Sequence, residues 1–158
     1  MSRAVLISIR PEWGDKIIAG EKTVEIRKTR PNLGTPFKCY IYETQGKSDT
    51  PWIDEDGHMI FRGRGKVVGE FICDKIYDVA PLNHAPEDLE EQSCLTREEI
   101  AQYLNGKGYA WHITNARVFY PLPVELSKFT GAHLFGVRLE LREIQRAPQS
   151  WCYVEELK

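Results

Sequence analysis

Lys22, Glu25 and Arg27 stand in the stretch Gly20-Glu21-Lys22-Thr23-Val24-Glu25-Ile26-Arg27-Lys28. Two cations around a carboxylate can bind an anion, steady a developing oxyanion, or use the carboxylate as a general base. On an extended strand, Thr23, Glu25 and Arg27 point to one side, and Val24, Ile26 and Lys28 to the other. The charged groups then lie close together. Glu25 can pair with either cation, hold it in place and leave the other free. The same pattern also fits a half-buried strand with a solvated ion-pair face, where each pair is worth about 0–1 kcal/mol. The neighbouring elements decide between a site and a surface.

Residues 4–10 alternate, with Val5, Ile7 and Ile9 on one face and Leu6, Ser8 and Arg10 on the other, which predicts a strand. Pro11 opens a helix at the position where proline is tolerated. Glu12 suits the positive end of its dipole. Trp13, Ile17 and Ile18 anchor that helix on a sheet, and Gly20 ends it as a left-handed cap. The charged strand thus follows a strand and a short helix. The end of the first strand brings Ser8 and Arg10 near Lys22 and Arg27. Ser8, Arg10, Lys22, Thr23, Glu25 and Arg27 are therefore the candidate binding residues.

Further along, residues 37–43 predict a strand, and Gln45 to Gly57 is polar with a turn signal at Asp56-Gly57. Arg62-Gly63-Arg64-Gly65-Lys66 has cations that could contact phosphate, although a flexible, solvated loop fits it better. Residues 66–79 predict a long or bent strand, and the segment from Pro86 a helical turn. Thr96-Arg97-Glu98-Glu99 is a capping box opening a helix with Ile100, Tyr103 and Leu104 at apolar spacing, ended by Gly106 or Gly108. On the strand Tyr109 to Val118, Trp111 is either a stacking platform for a base or a core residue. His112 could act as a base, but no Ser or Cys nucleophile is identifiably paired with it. Residues 134–141 predict a last strand with Phe135, Val137, Leu139 and Leu141 inward. The segment Pro148 to Val154 is too apolar for a free end and folds back. The tally is one domain over residues 1–158. Its fold class is α+β, mostly β: a small barrel carrying two or more short helices.

The chain of 158 residues carries a net charge of −2, which does not announce a nucleic-acid partner. Its distribution is uneven. Residues 1–30 hold seven cations against four carboxylates, whereas residues 86–100 hold six carboxylates against Arg97 alone. A basic cleft can thus exist on an acidic protein, because local field steers a ligand. No long apolar run suggests a membrane span. No signal-peptide pattern is present, so the expected location is cytoplasmic. Cys39, Cys73, Cys94 and Cys152 form no Cys-x-x-Cys pair and read as small buried apolar residues. A zinc site built from them with His58, His84, His112 or His133 lacks ligand-like spacing. No metal and no cofactor are expected.

Gly20-x-Lys22-x-x-Glu25-x-Arg27, preceded by a strand ending Ile9-Arg10-Pro11 and a short helix, resembles the G-x-K-x-x-E-x-R signature of ASCH domains. The resemblance covers most of the chain. It implies a PUA-like β-barrel that binds RNA in a cleft between the first helix and the barrel, with Lys22, Glu25 and Arg27 lining the cleft. The expected partner is RNA, another single-stranded nucleic acid or a modified nucleoside; a protein partner is a further alternative. The resemblance also implies an enzymatic alternative, because some members cleave RNA and one bacterial member hydrolyses N4-acetylcytidine. Lys22 and Glu25 would then be the catalytic candidates. In that amidohydrolase a threonine nucleophile stands where this chain has Glu25, and its glutamate before the second helix would correspond to Glu90 or Glu91.

Overall fold

A computed structural model describes residues 2–79 and 85–158; His84, weighed above as a metal ligand, lies outside them. The strands among the described residues are β1 (Arg3–Ile9), β2 (Val24–Arg27), β3 (Phe37–Glu43), β4 (Lys47–Ile53), β5 (Met59–Arg62), β6 (Val67–Asp78), β7 (Tyr109–Val118), β8 (Thr130–Phe135), β9 (Arg138–Glu143) and β10 (Trp151–Glu155). The helices are α1 (Pro11–Ile18), α2 (Leu89–Ser93) and α3 (Arg97–Leu104).

The apolar alternation of β1 places it inside an eight-stranded sheet, ordered β2-β7-β6-β3-β1-β10-β8-β9. Val5, Ile7 and Ile9 pack with Ile17 of α1, Phe71 and Trp111. Ala4 and Leu6 pack on the opposite face with Tyr40, Phe129 and Val154. β3 runs parallel to β1, and β10 pairs antiparallel with its other edge. The apolar C-terminal segment therefore folds back, as its composition required, and becomes an interior strand. The hydrogen-bonded order is open, with β2 and β9 at its two ends. The fold is thus α+β and mostly β, with a large sheet; closure into a barrel is not seen in its pairings.

Several local readings change. The polar segment after β3, read from sequence only as polar with a turn, is part of a two-stranded hairpin, β4–β5. Its side chains are mostly exposed, so no apolar alternation betrays it. Its turn is where Asp56-Gly57 placed it, with Asp54 Oδ1 accepting the N–H groups of Asp56 at 2.9 Å and His58 at 2.8 Å. Gly63 is buried, and a Cβ there would lie 1.6 Å from the Thr44 carbonyl oxygen. Close packing, not phosphate access, is what that glycine supplies. α3 has the predicted capping box, but Asn105 at φ 46° ends it, before the glycines.

The largest departure is at residues 134–141. They form not one inward-facing strand but the end of β8, a two-residue turn at Gly136 and Val137, and the start of β9, with Phe135, Val137, Leu139 and Leu141 exposed. β9 is an end of the sheet order, and its alternating leucines stay 38 % and 50 % exposed.

All four cysteines are free. Cys39 and Cys73 lie in the core, where burial pushes the Cys73 thiol up to about 12. They form no zinc cluster with the described histidines. No helix among the described residues is long and apolar enough to cross a membrane.

Candidate nucleic-acid cleft

β2 is positioned by its apolar residues. Val24 and Ile26 enter a small core with Leu89 of α2 and Ile100 and Leu104 of α3. That fixes the strand's rotation and turns Glu25 and Arg27 to the opposite face, as alternation predicts. In the pairing with β7, Glu25 lies opposite Trp111 and Arg27 opposite Tyr109.

Arg27 is saturated. Nε and Nη2 donate to Glu25 Oε2 at 3.2 and 2.8 Å. Nη2 also donates to the Ser8 carbonyl at 2.8 Å, and Nη1 to Ser150 O at 3.3 Å and Oγ at 3.1 Å. The guanidinium, with five N–H donors to place, thus ties β2 to β1 and to the segment entering β10. Lys22 Nζ donates to the Ser93 carbonyl at 2.5 Å, lies 3.5 Å from Glu25 Oε1 and sits 5.1 Å from the Trp13 ring centroid. Glu25 therefore holds both cations, one on each oxygen, and does not leave one free. Burial is the reason. Lys22 is 1 % exposed, Glu25 7 % and Arg27 9 %, and at such depth an unpaired charge is costly.

Burial pushes the Lys22 ammonium below its ordinary value of 10.5, and Arg27 adds to this, while Glu25 opposes it. Between the depressed value and 10.5 the unfolded chain binds more protons than the folded one. Stability therefore rises with pH across that window, and the penalty is fully present below it. In a pH series of urea denaturations, wild type is expected to gain this increment over the alkaline window, and Lys22→Met to lack it.

These groups floor a cavity of about 510 Å³. Ser8, Arg10, Lys22, Glu25 and Arg27, proposed from sequence, all line it, together with Trp13 of α1 and Leu95, Glu99 and Tyr103 on the α3 side. The Ser8 hydroxyl donates to the Pro148 carbonyl at 2.6 Å. Thr23 is not in the lining; its N–H donates to the Gln92 carbonyl at 2.8 Å, and its hydroxyl lies 3.5 Å from Gln92 Oε1. Of the two readings for Trp111, the core residue is the one found, and the stacking platform is not. Its exposure is 0 %, and it makes edge contacts with Phe37 and Trp151, so it offers no face to a base.

The aromatic residues at the cavity are instead Trp13 and Tyr103, both read from sequence as packing residues. Tyr103 is 44 % exposed, with Lys28 Nζ 5.2 Å from its ring centroid. The signal was its place on the flank of an amphipathic helix, one turn after Glu99. Glu90 and Glu91 do not reach the cavity, and Glu90 Oε2 accepts the Arg97 N–H at 3.2 Å. His112 Nδ1 lies 2.6 Å from Asp74 Oδ1, also outside the lining.

A larger groove of about 850 Å³ shares Arg10 and Thr44 with this cavity. It is lined by Glu12, Asp15, Glu21 and Asp49 as well as Lys16 and Lys47. Carboxylates outnumber cations along it, and it lacks the buried charge constellation. The smaller cavity is the better candidate.

The family model for the ASCH domain matches residues 7–123. An ASCH protein from Zymomonas mobilis superposes with a TM-score of 0.64 at 18 % identity, covering 97 % of this chain and 88 % of that one. A tyrosine-to-phenylalanine variant of that protein gives 0.65 at 18 % identity, covering 97 % and 91 %. A serine-to-alanine variant gives 0.64 at 17 %, covering 97 % and 89 %. At this identity the likeness is one of fold. No curated protein matches the chain.

Proposed function

Because the chain belongs to the ASCH domain family, which is generally linked to RNA binding, we propose that its cleft binds single-stranded RNA or a nucleoside unit of such a strand. The observation that carries this reading is the buried Lys22–Glu25–Arg27 constellation on the floor of a cavity flanked by Trp13 and Tyr103. Two cations against one carboxylate leave a net positive charge, which favours an anionic ligand. A base stacks on Tyr103, an interaction every base offers. The polar edge of that base meets Glu25 Oε1 and Lys22. Arg27 has its hydrogens committed and is a positioning residue. Phosphate contacts fall to Arg10, an exposed lining residue, and to Lys28 beside Tyr103.

The amidohydrolase alternative is weaker on the same geometry. It calls for a hydroxyl nucleophile, yet the Ser8 hydroxyl is committed to Pro148 and Thr23 faces Gln92. Glu25 is engaged on both oxygens. A carboxylate so held is better suited to accept a hydrogen bond than to attack an acyl carbon.

Binding is expected to weaken as salt rises, with a logarithmic slope of about −0.7 for each single-strand phosphate contact. Arg10→Ala and Lys28→Ala should each reduce that slope by about one contact's worth. Affinities measured over a salt series check this. Slopes that match wild type in both variants would remove the rim cations from the account.

A further inference from the structure

The β8–β9 hairpin contributes nothing to the cleft, yet it presents exposed apolar groups on a sheet edge. In β9, Arg138, Glu140 and Arg142 share one face, and Leu139 and Leu141 the other. Leu134 lies opposite Leu139 on that second face, and all three leucines are exposed. The hairpin turns through Gly136, at φ 60°, and Val137. In such a two-residue turn Phe135 and Arg138 are the closing hydrogen-bonded pair. The backbone groups of Leu139, Leu141 and Glu143 therefore point away from β8, along the free edge of the sheet.

We infer that this edge pairs with the β9 of a second copy of the chain, antiparallel about a two-fold axis at Leu141, joining two sheets into one. Charge complementarity along β9 selects this partner. A two-fold axis normal to the sheet keeps each residue on its own face, so even-numbered residues meet even-numbered ones. With the axis at Leu141, Glu140 of each copy faces Arg142 of the other, Leu141 covers Leu141, and Leu139 meets Glu143. An axis at Glu140 would set Glu140 against itself and Arg138 against Arg142, an arrangement that like charges disfavour. An axis at Leu139 would also match Arg138 with Glu140, but it needs the turn residues Gly136 and Val137 to serve as strand. The alternation of charge along β9 is thus self-complementary in the one register that uses the whole strand. The Glu140–Arg142 contact at 2.7 Å within one chain holds both side chains on the required face. An unpaired edge with exposed leucines otherwise invites unspecific association.

Sedimentation velocity over a dilution series tests this, using wild type, Glu140→Arg and Arg142→Glu. Wild type is expected to be a dimer that dissociates on dilution. Each single variant sets like charges against each other twice across the axis, so its dissociation constant should rise about tenfold or more. An equimolar mixture of the two variants should recover a dimer of one copy each. In that dimer the Glu140→Arg copy presents cations at both positions and the Arg142→Glu copy carboxylates at both. Every facing pair is again of opposite charge, although neither chain keeps its internal pair. All the changed residues are exposed, so folding should survive, and thermal melting verifies it. Leu141→Arg, which puts two cations on the axis, should also be monomeric. A wild type that stays monomeric throughout, variants that dimerise as wild type does, or a mixture that does not recover the dimer, would overturn the proposal.

Discussion

Arg27→Ala is expected to lower the free energy of unfolding by about 3–5 kcal/mol, the range seen when one partner of a buried ion pair is removed. The loss has two sources. Glu25, 7 % exposed, keeps only the more distant Lys22 as counter-charge. The carbonyls of Ser8 and Ser150 lose a donor that joined β2 to β1 and to the approach to β10. Arg97→Ala is the contrast. Its contact with Glu90, at 3.7 Å, lies between half-exposed side chains, so its removal should cost about 1 kcal/mol or less. Urea denaturation followed by tryptophan fluorescence measures both. Equal losses would mean that Arg27 is not the clamp its contacts describe.

Tyr103→Ala should behave oppositely: little change in stability and a large change in binding. The ring is 44 % exposed at the cavity, while Ile100 and Leu104 of the same helix carry the packing. Stability should shift by no more than about 0.5 kcal/mol. If a base stacks on this ring, affinity for single-stranded RNA should fall by about 1–3 kcal/mol, or roughly 5- to 150-fold.

The contrast between these two residues shows how far the sequence could be read. Arg27 was visible because its spacing from Lys22 and Glu25 follows strand alternation, and β2 obeys that alternation. Its role was not visible, because its carbonyl partners come from β1 and from Ser150, distant along the chain. Alternation gives the side a residue faces, not how deep that side lies. The same limit explains Trp111. Its strand and face were legible, but it is completely buried in a core of side chains from β1, β3, β6 and α1, and that is tertiary information. Tyr103 erred the other way: its helical spacing resembled that of a core residue, but it lies on the flank of α3. β9 is the third case. Leu139 and Leu141 alternate as an inward face would, and only the folded structure reveals that they stay exposed on an edge strand. The capping box at Thr96 and the turn at Asp56-Gly57 were legible because their partners lie within a few residues.

The central claim is that the cavity over Lys22 and Glu25 takes a base against Tyr103. Fluorescence anisotropy of a labelled single-stranded RNA, titrated at low salt with wild type, Tyr103→Ala and Arg117→Ala, tests it most directly. Arg117 pairs with Glu70 on β6 and does not line the cavity, so its variant controls for the general loss of a surface charge. Wild type is expected to bind saturably, Tyr103→Ala to lose about five-fold or more in affinity, and Arg117→Ala to keep near-wild-type affinity. Equal affinity in wild type and Tyr103→Ala, or no binding by wild type, would contradict it.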